Sequence, residues 1–183
     1  GEGIIHGPTG VLFHANPEIY RAEVGKPIGY FWGYKTAGVF QNQQEIDAAK
    51  VFLQDNPQPG DLIFVDTNND GEITSDDKVE IGNPHPDFMV GFSFNIAYNG
   101  FDLSVVTNGA FGQQIAKSYR GVDDNKLHNY TTDIFERWHG EGTSNRLPRL
   151  CDGSNVNWEK FSDIYVEDAG YMKIKNVTLK RYG

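Results

Sequence analysis

The 183-residue sequence has a single cysteine, Cys151, and no long run of apolar residues. One cysteine excludes an intrachain disulfide and a zinc site built from cysteines. The missing apolar run excludes a helix that spans a membrane, because such a helix needs about 20 consecutive apolar residues. It does not exclude a membrane-spanning β-barrel, whose strands need only about 9–11 residues of alternating character.

Positive charge is also scarce, with 16 Lys and Arg residues against 25 Asp and Glu residues and a formal net charge of −9. A phosphate backbone would repel such a chain, which argues against nucleic-acid binding. The five histidines lack the spacing of a metalloenzyme site, and the sequence has no phosphate-binding glycine loop or nucleophile elbow. We therefore expect no enzyme. Aromatic residues form 13% of the chain and glycine is frequent, which favours strands and turns over a helical bundle.

Residues 66–77, DTNNDGEITSDD, carry oxygen atoms at the spacing of a Ca²⁺-binding loop. Oxygen-bearing side chains lie at loop positions 1, 3 and 5, a glycine at position 6 permits a sharp turn, and an acid at position 12 closes the shell. A strand-like stretch at 61–65 precedes the loop, so the pattern predicts a strand–loop–turn site and not an EF-hand. The predicted ligands are the side chains of Asp66, Asn68, Asp70 and Asp77 and the backbone carbonyl of Glu72.

Two interpretations of this loop remain open from the residues alone. Asp, Asn and Gly also build ordinary surface turns that need no metal. Five matched positions within twelve residues favour the metal, by analogy with the EF-hand loop pattern. We expect the bound Ca²⁺ to be structural, because the loop fills every ligand position and no histidine or nucleophile adjoins it.

Residues 88–111 alternate between one set rich in large apolar side chains and a second set of mostly small or polar ones. The alternation breaks only at Asn99-Gly100, which is the preferred dipeptide of a type I′ turn. The pattern therefore predicts a β-hairpin that pairs Tyr98 with Phe101 and places the apolar set on one face.

Both a membrane barrel and a soluble β-sandwich would explain this hairpin. Two features favour the membrane. The predicted strands are longer than the usual five to six or so residues of soluble sheets. The second face is small and neutral at many positions, where a water-exposed sheet carries Lys and Glu; these are Gly91, Ser93, Asn95, Ser104 and Asn108.

The segments before the acidic loop are less regular. Residues 1–22 are expected to be irregular, with one short strand. Aromatic residues between glycines at 23–40 predict a strand with kinks or bulges. On it Tyr30, Trp32 and Tyr34 would share one face, in a core, in an aromatic girdle or as a sugar-stacking platform. Asn42 and Glu45 resemble a capping box and predict a helix over 44–53.

The segments after the hairpin are one long polar stretch and one strand. Residues 112–167 are poorly periodic, which predicts a long functional loop with a short helix at 133–139. Residues 171–182 predict a strand whose facing is undecided, because its apolar residues occupy even positions early and odd positions late.

Several motifs follow one another in an order typical of a single family. They are GKPIGYFWGYK at 25–35, PGD at 59–61 ahead of the loop at 66–77, IGNPHPDF at 81–88, the stretch 138–148 and the run 171–182. In this order they resemble the SusC/RagA-like TonB-dependent transporters of the Bacteroidetes outer membrane. The resemblance covers most of the chain, from about residue 20 onward.

The resemblance implies a mainly β fold. The chain would be the C-terminal part of a plugged, antiparallel outer-membrane barrel of about 22 strands, with long extracellular loops and one or two short helices. Its parts would be an irregular lead-in at 1–22, a strand and extracellular loop region at 23–87, a barrel hairpin at 88–111, a long extracellular loop at 112–167 and a barrel strand at 168–183.

The resemblance also implies a function, partners and a location. The chain would belong to a nutrient importer in the outer membrane of a Gram-negative cell, taking up oligosaccharides or peptides. A SusD-like surface lipoprotein would cap it, and the TonB complex would act through a plug that precedes this chain. The tight turn at Asn99-Gly100 would be periplasmic and the calcium loop extracellular, because such barrels have short periplasmic turns.

A second function stays open beside the importer. The chain would then be a soluble, calcium-stabilised β module that binds carbohydrate. Its stacking platforms would be Tyr30, Trp32, Tyr34 or Trp158.

Overall fold

The computed structural model describes residues 5–6, 19–117, 131–151 and 155–182. The described chain is mainly β, with two short α-helices, α1 (Gln43–Ala48) and α2 (Val156–Glu159). The strands are β1 (Ile5–His6), β2 (Tyr20–Ala22), β3 (Tyr30–Gly33), β4 (Thr36–Val39), β5 (Leu62–Phe64), β6 (Val79–Gly82), β7 (Phe88–Tyr98), β8 (Phe101–Phe111), β9 (Gln114–Ala116), β10 (Val166–Asp168) and β11 (Tyr171–Arg181). The chain forms two compact units, one of residues 1–82 and 116–166 and the other of 83–115 and 167–183. We refer to them as the loop unit and the sheet unit.

The loop unit contains a four-stranded sheet in the order β1-β2-β3-β6 and a separate pair, β4-β5. Strands β3 and β6 are antiparallel, and their register shifts between Phe31 and Trp32. The bulge expected from the glycine-punctuated aromatic stretch is therefore confirmed. The sequence also has a short apolar patch, Val11-Leu12-Phe13, in the lead-in for which one short strand is expected, and this patch lies outside the described residues.

The core of the loop unit is assembled from two distant parts of the chain. Seven buried apolar residues come from 19–82 and five from the second part, which are Leu147, Trp158, Phe161, Ile164 and Tyr165. The prediction of one long loop over 112–167 is thus wrong for the described residues of its second half. These residues sit in turns, in α2 and in the short 3₁₀ helix Asp163–Tyr165, so their burial leaves no regular period in the sequence.

Helix α1 begins as predicted but ends early. The Asn42 side chain accepts a hydrogen bond from the Glu45 amide at 3.1 Å, which confirms the N-cap. The helix ends at Ala48, whereas the pattern predicts residue 53. Val51 and Leu53 instead pack against the core of the loop unit, so tertiary burial overrides the helical spacing.

The sheet unit is built on three antiparallel strands of eleven residues each, in the order β11-β8-β7. Strands β7 and β8 pair without a register shift from Phe88 with Phe111 to Tyr98 with Phe101. Asn99 and Gly100 both have positive φ, of 46° and 81°, as a type I′ turn requires. The hairpin, its turn and its register are confirmed.

Strand β11 contains a bulge that explains its mixed alternation. Its register against β8 shifts between Ile174, paired with Thr107, and Asn176, paired with Val106. The extra residue, Lys175, changes the parity of every position after it. The aliphatic residues and the methionine of β11 therefore all lie on the face that carries the apolar set of the hairpin, and Tyr171 lies on the opposite face; the four are Met172, Ile174, Val177 and Leu179.

Candidate functional site

The acidic loop brings together three of the predicted ligands. Carboxylate oxygens of Asp66, Asp70 and Asp77 lie within 4.8 Å of one another. Two oxygens that bind one Ca²⁺ at about 2.3–2.6 Å cannot be more than about 5 Å apart, so this spacing fits a shared calcium ion. Hence the side chains at loop positions 1, 5 and 12 meet the geometric requirement for the predicted metal.

Asp77 is the buried member of this group, with no exposed surface. Its carboxylate accepts hydrogen bonds from the amides of Thr67 and Thr74, both at 2.8 Å, and from that of Asn68 at 3.4 Å. Burial by itself would raise the pKa of Asp77, but the amide donors outweigh it and hold the pKa below its usual value. The carboxylate is therefore ionised at neutral pH, as a metal ligand must be.

The exposed half of the loop is organised by Asx turns. Asp66 accepts hydrogen bonds from the amides of Asn69 and Gly71, at 2.6 and 2.9 Å. Gly71 has a φ of 92°, which confirms the sharp turn expected at position 6. The side-chain nitrogen of Asn68, Nδ2, donates a hydrogen bond to the Asp70 carboxylate at 2.9 Å. The Glu72 residue is exposed. These bonds suit an ordinary turn as well as a metal loop, so the ligand set stays a prediction.

The loop is attached to the core of the loop unit at Ile73, which is buried. Strands β5 and β6 flank the loop, as the strand–loop–turn prediction requires. Thr74 and Asp77 also form a capping box around the 3₁₀ helix Ser75–Asp77. Sequence reasoning missed this second role of Asp77, although the Thr-x-x-Asp spacing is a capping-box signal.

Most of the aromatic residues considered for sugar stacking are buried. Tyr30 is fully buried, and Tyr34 and Trp158 are 5% and 2% exposed. Trp32 is half-buried, and the Arg21 guanidinium lies 3.8 Å from its ring centroid. The core alternative is therefore confirmed for Tyr30 and Tyr34, and Tyr30, Tyr34 and Trp158 are all too buried to stack on a sugar.

A buried polar network lies beside this core, and the sequence analysis missed it. Asp61 is 2% exposed and accepts hydrogen bonds from Arg149 Nε at 2.7 Å and from Asn157 Nδ2 at 2.9 Å. Asn157 in turn accepts from the Leu62 amide at 2.8 Å. The network joins the two parts of the chain that build the loop unit. Buried polar groups tolerate few substitutions unless every partner is kept, so we assign this network a structural role.

The apolar face of the sheet unit is the second candidate site. It consists of the apolar set of the hairpin together with Met172, Ile174, Val177 and Leu179 of β11, which the bulge keeps on the same face. Its side chains are strongly exposed; Phe92 is 59% exposed and Leu179 is 67% exposed. A contiguous exposed face of this kind marks a surface that contacts a partner or a membrane. The opposite face carries Lys173, Asn176, Thr178 and Lys180 from β11.

Comparison with known proteins gives the family of the chain. No family model matches it. Two TonB-dependent receptors of Formosa agariphila are similar to it. One is 30% identical over 161 residues, which cover 87% of this chain and 16% of the relative. The other is 29% identical over 154 residues, which cover 84% of this chain and 15% of the relative. SusC of Bacteroides thetaiotaomicron is 26% identical over 165 residues, covering 90% and 15%.

The chain belongs to the SusC-like family of TonB-dependent receptors. The similarity covers so much of the chain that it must include the acidic loop and the hairpin, which both lie in the middle of the sequence. The chain spans only about 15–16% of the length of these SusC-like relatives. Among the described residues, no helix has the length and apolar character needed to cross a membrane.

Proposed function

We propose that this chain contributes strands and a loop-borne unit to an outer-membrane nutrient importer. The observation that carries the proposal is the apolar face shared by β7, β8 and β11. The bulge in β11 supports it further, because one extra residue keeps Val177 and Leu179 on the same face as Met172 and Ile174. A soluble sheet would cover such a face with a second layer.

The dimensions of the sheet agree with a barrel wall. Ten residue steps from Phe88 to Tyr98, at about 3.3 Å each, give a strand length of about 33 Å. Strands of outer-membrane barrels tilt by about 35–45°, which reduces this length to roughly 25 Å along the membrane normal. That is the height of the apolar band of such barrels, about 25 Å.

The other parts of the proposal follow from the family. The complete barrel would have about 22 strands and a plug. Its cargo would be oligosaccharide or peptide, a SusD-like lipoprotein would cap it, and the TonB complex would drive it. The short turn at Asn99-Gly100 would lie in the periplasm and the loop unit outside the cell.

An arginine scan of adjacent strand positions tests the membrane face. Phe92→Arg in the full-length receptor should reduce the amount of assembled receptor in the outer membrane, because Arg at the middle of the bilayer costs about 2–4 kcal/mol. Ser93→Arg is the matched control, since Ser93 pairs with Val106 on the opposite face. Assembly is measured as the fraction of the receptor that stays folded when it is run on a detergent gel without heating.

Phe92→Arg must reduce the amount of assembled receptor more than Ser93→Arg does. Equal assembly of both, or a larger loss for Ser93→Arg, would show that lipid does not cover the apolar face and would refute the importer wall.

The same proposal places a structural Ca²⁺ in the acidic loop. Asp66, Asn68, Asp70 and Asp77 would hold it with the Glu72 carbonyl, and the ion would neutralise three carboxylates that lie within 4.8 Å of one another. Binding would stabilise the folded loop by RT ln(1 + [L]/Kd), or about 2.7 kcal/mol when free Ca²⁺ is 100 times Kd.

Chelation tests the calcium site. A chelator should lower the melting temperature of the receptor, and Asp70→Ala should remove this sensitivity. Asp76→Ala is the matched control, because Asp76 is an exposed acid of the same loop that lies outside the ligand set. Identical melting curves with and without the chelator would eliminate the site.

A further inference from the structure

Among the positions of the apolar face that pair across the strands, one carries a charged side chain. Every other paired position of that face in β7, β8 and β11 is apolar, aromatic, Thr or Gly, and the bulge residue Lys175 has no paired partner. The exception is Arg181, near the end of β11. An isolated charge on an otherwise apolar face calls for a counter-charge, and the paired positions of these three strands offer none on that face.

Arg181 lies at one edge of this face. It pairs with Phe101, which pairs with Tyr98, so these three residues form the last row beside the hairpin turn. The guanidinium carbon lies 5.7 Å from the centroid of the Phe101 ring, and Tyr98 is 80% exposed. At the other end of the hairpin the stacked rings of Phe88 and Phe111 close the face without a cation.

The neighbouring residue has a different environment. Lys180 lies on the opposite face, where it pairs with Asp102 across the strands. The sequence therefore places one cation beside an acid on the polar face and the next cation beside two aromatic rings on the apolar face. Only the second has no acidic residue in its row.

We infer that Arg181, together with Tyr98 and Phe101, binds the phosphate of an anionic phospholipid in the leaflet next to the hairpin turn. The inference rests on the proposed membrane face. Long basic side chains place their stems on apolar surface and their charge at the lipid headgroups, where aromatic rings also gather. A guanidinium is suited to phosphate because it donates two parallel hydrogen bonds. The positive charge of the Arg181 guanidinium favours a lipid with a net negative headgroup.

Native mass spectrometry of the full-length receptor, titrated with phosphatidylglycerol, tests the site. Arg181→Gln should weaken the retention of this lipid about fivefold, since each basic residue near an anionic membrane surface contributes about 1 kcal/mol. Lys180→Gln removes the same charge one residue away and should leave retention unchanged. Inorganic phosphate in excess should not compete, because free phosphate has no acyl chains to lie on the apolar face.

A second variant tests the site without comparing proteins that could assemble to different extents. Arg181→His carries its charge at pH 5 and loses it at pH 8, so one folded sample is measured in both states. Lipid retention should be higher at pH 5, relative to the wild-type receptor at the same two pH values. Equal losses for Arg181→Gln and Lys180→Gln, no loss for either, or no extra pH response of Arg181→His would overturn the inference.

A lipid-contact measurement separates this inference from the proposed function. A fluorescent label at Phe92→Cys, in a full-length receptor whose native cysteines including Cys151 are replaced by serine, should be quenched by spin-labelled phospholipid. If the label is quenched but Arg181 has no effect on lipid retention, the phosphate site is wrong and the membrane face stands. If the label is not quenched, the membrane face is wrong and the phosphate site falls with it.

Discussion

The strongest test of the loop unit is removal of the Asp61 carboxylate. The Arg149–Asp61 ion pair is 2.7 Å long, and the Asp61 side chain is only 3% exposed. Asp61→Ala would leave the Arg149 guanidinium without its counter-ion, and the Asn157 side-chain amide and the Gln58 backbone amide without an acceptor. Removing one partner of a buried ion pair costs about 3–5 kcal/mol; here the remaining Arg149 side chain is 26% exposed and stays largely shielded from water.

Hydrogen exchange measures this cost where it acts. The Leu62 amide donates to Asn157 Oδ1 at 2.8 Å, so its exchange reports opening of the network. A loss of about 3–5 kcal/mol should accelerate that exchange roughly 100- to 4,000-fold, at about 1.4 kcal/mol per factor of ten. Asp55→Ala is the control, because Asp55 is exposed in the same segment. Exchange at Leu62 within threefold of that control would refute the role assigned to Asp61.

Two further predictions concern the loop unit. Gly60→Ala, at a φ of 93°, would place a Cβ against the Trp138 ring and 2.8 Å from Arg149 Cβ, whereas the Cβ of Gly25→Ala, at a φ of 87°, meets nothing within 4 Å. Gly60→Ala should therefore lower the melting temperature clearly more than Gly25→Ala. Equal melting temperatures would contradict this packing. The lowered pKa of Asp77 means that its stabilising contribution is present above about pH 4 and is lost as the pH falls through the lower folded-state pKa. Asp77→Asn should accordingly flatten the acid limb of stability measured in a chelator, and an unchanged acid limb would show that other groups control it.

The sheet unit is predicted well by the sequence because its side chains obey a local rule. A period of two and the Asn99-Gly100 turn fix both the strands and their register, and neither depends on distant residues. Strand β11 shows the limit of that rule. Its parity change is visible in the sequence, but only the pairing of Ile174 and Asn176 with successive residues of β8 shows that the cause is a bulge.

The loop unit is predicted poorly because its core depends on contacts between distant segments. Trp158 and Phe161 belong to short turns and helices, whose burial has no period to detect. Asp61 and Asn157 look like ordinary polar loop residues until the fold places them together. The acidic loop is intermediate. Its spacing indicates which oxygens converge, while the burial of Asp77 follows from the attachment of the loop to the core.

The divided core of the loop unit has a consequence for the order of folding. Leu62 and Asn157 form a hydrogen bond although they are 95 positions apart in the sequence, and the whole hairpin lies between them in the chain. As synthesis and export proceed from the N-terminus, residues 19–82 emerge with half of their interior absent. They must wait for both hairpin strands to pass before Trp158 and Phe161 arrive. During that interval the early half exposes Leu62 and Phe64, and such transiently exposed apolar surface is prone to aggregation.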